Sequence, residues 1–431
     1  MNRKIIGAIV EYNPFHYGHL YHLDQIRKRG KAYAVVCIMS GDFVQRGEPA
    51  ILDKFARAKM AIFNGVDLVV ELPFVYATQD ARGFARGAVG ILHRMHAVDE
   101  IWFGSEVGDM QKMMPVFSVL VDEPLTFKSF LHDELNKGLS FPEARRLALR
   151  RYLQNEDDST SDIVKNSNDI LGIEYMIALK HYNSSISPIA IKRIGSGYLQ
   201  ERYEGQFSSA TAIRKIMLKG DKSGMKKALP PPSFSICEEE FEVGKGPVSL
   251  ASLSSTLLAR LRIADEAELQ RIYGVTEGLE NRLIRYARTA TDISAFLRLV
   301  KTKRFTYTKL SRLLLHIYFG LSKEKVRYFN KIGPQYIRVL GFNKRGQKVL
   351  KNMKNTTTIP IITTVSRYRD VMRRAEGDKD RYKDFNEREA LEEFTYDLKA
   401  SDLYSLLYPK ASERGGGKDF KTRVITFLNS I

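Results

Sequence analysis

Along the first half of the chain the apolar positions switch repeatedly between two periods. Ile5, Ile6, Ala8, Ile9 and Val10 form a short, β-branched run that reads as a buried strand. Asn13-Pro14 interrupts it, because proline carries no N–H and turns its neighbour away from helix. From Gly18 onward Leu20, Leu23 and Ile26 recur at helical spacing. Tyr33 to Ser40 is a second buried strand, followed by a polar loop from Ser40 to Glu48. Asp53 then caps a helix carrying Phe55, Ala58, Met60, Ala61 and Ile62. Leu68 to Pro73 is a third strand, and Ile101-Trp102-Phe103 begins a fourth that ends in Gly104-Ser105-Glu106. Residues 109 to 153 read as helical, with a capping box at Ser140-Phe141-Pro142-Glu143, and Asn155 to Asp162 as a loop. Asn166-Ser167-Asn168 opens a helix through Tyr175 and Leu179. Pro188 to Ile191 is a fifth strand, leading through Lys192-Arg193 to the loop Gly195-Ser196-Gly197. This alternation predicts an α/β fold with a parallel, Rossmann-like sheet. Ligands of such sheets bind beyond the carboxyl ends of the strands, where these polar loops fall.

Residues 221–248 contain Pro230-Pro231-Pro232 and the acidic run Glu238 to Glu240, and read as a linker. It would join a first domain, residues 1–220, to a mainly helical one, residues 249–431, in which Leu257, Leu258, Leu261 and Ile263 keep helical spacing and Ile359 to Val365 fits a strand. Charge sharpens that division. The chain of 431 residues has 68 Lys and Arg against 50 Asp and Glu, a net +18 that favours a polyanionic partner. Between Arg282 and Lys351 eighteen basic residues face only Asp292 and Glu324, so this window alone carries +16. Within it Lys301, Lys303, Arg304, Phe305, Tyr307, Lys309 and Arg312 interleave cations with aromatics, as nucleic-acid surfaces do. The plainer alternative is a solvated helix face. Two cysteines exclude a disulfide framework or a zinc site, and no metal-ligand cluster is readable. With no membrane-length apolar run and no signal-peptide pattern, the expectation is a cytoplasmic protein without a membrane partner. The oligomeric state is left open.

The candidate chemistry lies on the first strand-to-helix turn, His16-Tyr17-Gly18-His19. Chance would place His-x-Gly-His in roughly one chain of this composition in a hundred. A helix start there turns N–H groups outward to attract phosphate, glycine allows close approach, and two imidazoles can serve oxygens that gain charge. Far downstream, Ser208-Ser209-Ala210-Thr211-Ala212-Ile213-Arg214-Lys215 opens another helix with hydroxyls and closes its first turn with cations. The first stretch resembles the HxGH motif of the nucleotidyltransferase superfamily, and the second its Ile-Ser-Ser-Thr-x-x-Arg signature, with Ser208 at the isoleucine position and Ala210 at the second serine. The longer stretch Glu11-Tyr12-Asn13-Pro14-Phe15-His16-Tyr17-Gly18-His19 is similar to the bacterial tRNA(Met) cytidine acetate ligase family.

That resemblance implies an ATP site built from Gly7, Ala8, Ile9, Val10, Glu11, Tyr12, Asn13, Pro14, Phe15, His16, Tyr17, Gly18, His19, Leu20, Gly104, Asn168 and Arg193. It implies that acetate attacks the α-phosphate of ATP and that the acetyl group then passes to N4 of the wobble cytidine of elongator tRNA(Met). His16 and His19 would serve the α-phosphate. Ser209, Thr211 and Arg214 would serve the pyrophosphate, with Arg46 or Lys54 holding acetate and Mg²⁺ offsetting phosphate charge. Lys301, Lys303, Arg304, Tyr307, Lys309 and Arg312 would hold the tRNA. Two rivals stand beside this reading: an adenylyltransferase acting on a small phosphorylated metabolite, and a non-catalytic RNA-binding protein. Gly415-Gly416-Gly417-Lys418-Asp419 lacks the leading glycine and the hydroxyl residue of a phosphate-binding loop.

Overall fold

A computed structural model describes residues 4–153, 161–193, 209–276 and 278–428. Most of the loop expected at Asn155 to Asp162, the Gly195-Ser196-Gly197 loop and Ser208 lie outside these described residues. The strands are β1 (Ile5–Val10), β2 (Ala34–Ser40), the short hairpin pair β3 (Phe43–Val44) and β4 (Glu48–Pro49), then β5 (Leu68–Leu72), β6 (Glu100–Ser105) and β7 (Ser187–Lys192). Five of them pair in parallel in the order β5-β2-β1-β6-β7. The chain therefore starts at the centre, builds outward through β2 and β5, then crosses back to lay β6 and β7 on the other side of β1. Strand order reverses between β1 and β6, the switch point where a crevice forms in doubly wound sheets. Every residue of β2 and β5 is buried, as expected for a parallel sheet covered on both faces.

The helices between these strands are α1 (Tyr17–Arg29), α2 (Lys54–Phe63), α3 (Phe74–Ala77), α4 (Ala81–Met95), α5 (Met110–Asp122), α6 (Leu125–Asn136), α7 (Phe141–Leu153) and α8 (Ser167–His181). Residues 221–248, expected as a linker, form two helices instead, Lys222–Ala228 and Pro231–Glu242. Proline is tolerated in a first turn, where no intrahelical N–H is needed, so the triple proline starts the second helix rather than preventing it. That helix buries Ile236 and Cys237 in the same apolar cluster as Ala58, Met60 and Ile62 of α2. Asn64 Nδ2 donates to Ser233 Oγ at 3.0 Å beside it.

The C-terminal half does not stand apart as a helical body. Its strand β8 (Ile337–Asn343) pairs antiparallel with β5, and β9 (Ile361–Ile362) and β10 (Ile425–Phe427) pair in parallel with β8, extending the central sheet to eight strands. A charge cluster joins the two halves beneath it. Lys54, the first residue of α2, is fully buried, with Nζ 3.0 Å from Glu71 Oε1, 2.9 Å from Asp419 Oδ1 and 3.6 Å from Asp42 Oδ2. Arg338 of β8 contacts Glu71 at 2.9 Å and Asp419 at 2.7 Å. Burial pushes the Asp419 carboxyl up, but Arg338 and Lys54 outweigh it and hold that carboxyl at about 2.

Candidate active site

A cleft of about 300 Å³ opens at the switch point, over the carboxyl ends of β1, β6 and β7 and between α1 and α8. Its floor is held from below by Arg57, a fully buried α2 residue. Arg57 donates to the carbonyls of Glu11 at 2.6 Å, Ser40 at 3.1 Å and Leu52 at 3.0 Å, and also to Gly41, so it ties the ends of β1 and β2 together. Beneath the β1–α1 turn Tyr12, Phe15 and His19 pack edge to face, with Tyr12 centroids 4.7 Å from Phe15 and 4.9 Å from His19. Asn13 Oδ1 accepts the Ile51 N–H at 2.7 Å.

His16 caps α1. Its Nδ1 accepts the Gly18 N–H at 3.0 Å, while His19 Nδ1 accepts the His16 N–H at 3.3 Å, a reciprocal capping box made of two imidazoles. The rings stack with centroids 3.8 Å apart. Because each Nδ1 accepts a backbone N–H, the hydrogen bonds assign both side chains as neutral Nε2–H tautomers. Burial lowers the His16 pKa to about 3, with Arg193 and Arg214 adding to the shift. Burial, His16 and Arg193 likewise hold His19 well below the ordinary value, against a small opposing pull from the Pro14 carbonyl. The pair is thus neutral at physiological pH, able to donate hydrogen bonds to an anion without changing protonation. Both histidines are half-buried.

Of the remaining expected residues, Ile9, Val10, Glu11, Gly18, Gly104, Asn168, Arg193 and Arg46 line the cleft with them. Asn168 Nδ2 donates to Glu106 Oε1 at 2.5 Å, and Glu106 lies 4.0 Å from Arg193 Nε, so β6, α8 and β7 meet there. Gly7 and Ala8 sit within β1, where a Cβ on Gly7 would press on Leu92 and Val98. Tyr12, Asn13, Pro14 and Phe15 are buried under the turn; Tyr17 and Leu20 belong to the first turn of α1. Arg214 reaches the same turn from the helix Ala210–Leu218, donating to the Asn13 carbonyl at 3.1 Å and to Glu48 at 3.2 Å, with Thr211 Oγ1 3.4 Å away and Ser209 as the helix N-cap. The two signatures are therefore brought together, although Ser209, Thr211 and Arg214 stand at the rim and not on the cleft wall.

Lys54 is not in the cleft. Three carboxylates surround its ammonium in the buried cluster, which leaves it no access to a substrate. Arg312 is also turned inward: its Nη1 donates to the Gln45 carbonyl at 3.2 Å, and a Cβ on neighbouring Gly47 would run into the backbone of Ser311 and Arg312. Lys301, Lys303, Arg304 and Tyr307 are exposed on the loop and first turn leading into the helix Tyr307–Phe319. Lys301 lies over the Tyr307 ring at 5.3 Å and half-buried Lys309 over Phe305 at 4.8 Å. Sequence reasoning missed His22, which lines the cleft with a buried Nε2 that has no hydrogen-bond partner. Its signal was the spacing His16, His19, His22, one face of a helix. Nothing comparable in the sequence pointed to Arg57 or Glu106.

A family model for HIGH nucleotidyl transferases matches residues 3–419. The tRNA(Met) cytidine acetate ligase of Thermosipho melanesiensis is 44% identical over 98% of this chain and 99% of its own length. That of Thermotoga maritima is 41% identical, covering 96% of this chain and 99% of its own. The crystal structure of Thermotoga maritima TmcAL bound with alpha-thio ATP superposes with a TM-score of 0.92 at 41% identity, covering 99% of this chain and all of that one.

Proposed function

The chain belongs to the HIGH nucleotidyl transferase family and, within it, to the tRNA(Met) cytidine acetate ligases, and we propose that it activates acetate with ATP and passes the acetyl group to N4 of the wobble cytidine of elongator tRNA(Met). In the first step an acetate oxygen bonds to the α-phosphorus of ATP and pyrophosphate leaves. In the second the cytidine amine displaces AMP from the acetyl carbon. The observation that carries this reading is the His16–His19 pair, two neutral N–H donors locked by their own backbone at the mouth of the switch-point cleft. Donors fixed in advance stabilise charge that develops on phosphate oxygens at no cost in reorganisation.

ATP would lie along the β1–α1 turn toward Gly104, Asn168 and Arg193, with Ser209, Thr211 and Arg214 at the pyrophosphate. Of the two cations expected to hold acetate, Arg46 is the one at the cleft. Mg²⁺ would offset the phosphate charge of ATP, as hard oxygen-bound cations do. The exposed loop around Lys301, Lys303, Arg304 and Tyr307 would take tRNA phosphates. No helix among the described residues is long and apolar enough to cross a membrane.

ATP–pyrophosphate exchange tests the reading. Exchange should require acetate, proceed without tRNA, and be followed by acetylation when the tRNA is added. Exchange driven by a phosphorylated metabolite in place of acetate would make the protein a small-molecule adenylyltransferase; tRNA binding with no exchange would make it an RNA-binding protein.

A further inference from the structure

Among the described residues Glu11 is the one carboxylate on the cleft wall. Its presence calls for a reason, because both substrates of the first step, ATP and acetate, are anions that it repels. It is held firmly. Its backbone carbonyl takes the Arg57 guanidinium at 2.6 Å, and its Oε1 accepts the Gln45 N–H at 2.9 Å. Gln45 is clamped on its other side by Arg312, from the helix that follows the basic loop, at 3.2 Å. Glu11 thus stands between the nucleotide turn and the strut that leads to the candidate tRNA face.

We propose that Glu11 is the general base of the acetyl-transfer step, taking the proton from the attacking amine nitrogen. The proposal rests on the acetyl-transfer reading above. An exocyclic amine conjugated to a pyrimidine is a weak nucleophile, and it becomes cationic as it bonds to the acetyl carbon. The new C–N bond forms, the C–O bond to the adenylate phosphate breaks, and AMP leaves with that electron pair. The nitrogen proton passes to the Glu11 carboxylate and from there to solvent. The capping imidazoles are committed elsewhere, since Nδ1 of His16 and of His19 already accepts a backbone N–H. The charged and titratable groups acting on Glu11 are Arg46 and Glu48 of the hairpin, Arg214, Tyr175 of α8 and Arg57. Burial raises its pKa above the ordinary value, against the Gln45 N–H and Arg46.

The test measures the two half-reactions separately on the full chain. In Glu11→Gln, transfer from preformed acetyl-adenylate to tRNA should slow by ~10²–10⁴-fold over and above whatever loss the same change causes in acetate-dependent exchange. Wild-type transfer should rise with pH and level off, and the variant should lose that inflection. Equal loss of both half-reactions, or recovery of the variant with excess Mg²⁺, would overturn the proposal, making Glu11 part of nucleotide binding or a metal ligand. If Glu11→Gln does not fold, the wild-type profiles decide: an inflection in transfer that exchange lacks supports the base, and its absence rejects it. A wild-type protein that forms acetyl-adenylate but never acetylates tRNA would instead bring down the proposed function itself.

Discussion

At the start of α1 two imidazoles fill positions that a hydroxyl and a carboxylate hold in an ordinary capping box. The same atoms that satisfy the helix leave each ring with its proton on Nε2, so the cap and the chemistry share one geometry. His16→Ala and His19→Ala should each lower acetate-dependent exchange by ~10²–10³-fold, the usual effect of removing one preorganised donor. Each should also cost about 1 kcal/mol through the missing cap, a small fall in melting temperature measured on the same samples. Protonation gives a second prediction. The folded pKa of His16 is about 3, below the value of about 6.5 for an unfolded histidine. The unfolded chain therefore binds the proton first, and stability falls as pH drops from about 6.5 toward 3. Melting temperature followed across that window should decline less steeply in His16→Asn than in the wild type.

The β3–β4 hairpin is the element that ties cleft to basic loop, since Glu11 holds the Gln45 N–H and Arg312 its carbonyl. Arg312→Ala should loosen the turn that carries Arg46, raising the KM for acetate in the exchange assay while leaving the salt dependence of tRNA binding in place. Charge reversal at Lys301, Lys303 and Arg304 should do the opposite, weakening tRNA binding and lowering the log–log salt slope by ~0.7–0.9 for each phosphate no longer neutralised. Sequence could not separate these arginines and lysines, because charge count does not say which side chain points inward. It did reveal β1, β2, β5, β6 and β7, each marked by a short apolar run, as strands of a parallel sheet packed between helices are. Strand β8 escaped it. Arg338 breaks the run Ile337 to Asn343 in the most basic window of the chain, and the partners that make a buried arginine tolerable are far off in sequence, Glu71 and, 81 positions on, Asp419.

Across the whole molecule the cluster of Lys54, Arg338, Asp42, Glu71 and Asp419 joins residues of the first helices to one of the last. Asp419→Ala would take one direct contact from each of two buried cations, leaving Lys54 and Arg338 to share Glu71 and Asp42; removing one partner of a buried pair typically costs ~3–5 kcal/mol, and chemical denaturation should show a fall in stability of up to that size. A chain stopped after residue 410 should fare worse, lacking β10 as well, and limited proteolysis should cut it where the full chain resists. That arrangement also bears on synthesis. A ribosome makes Lys54 early and Asp419 almost last, so for most of translation the sheet edge waits open and the lysine keeps its water. The nucleotide cleft is lined by residues made early, Ile9 to Arg193, whereas the buried charges that lock its sheet to the rest of the fold are complete only once Asp419 has been made.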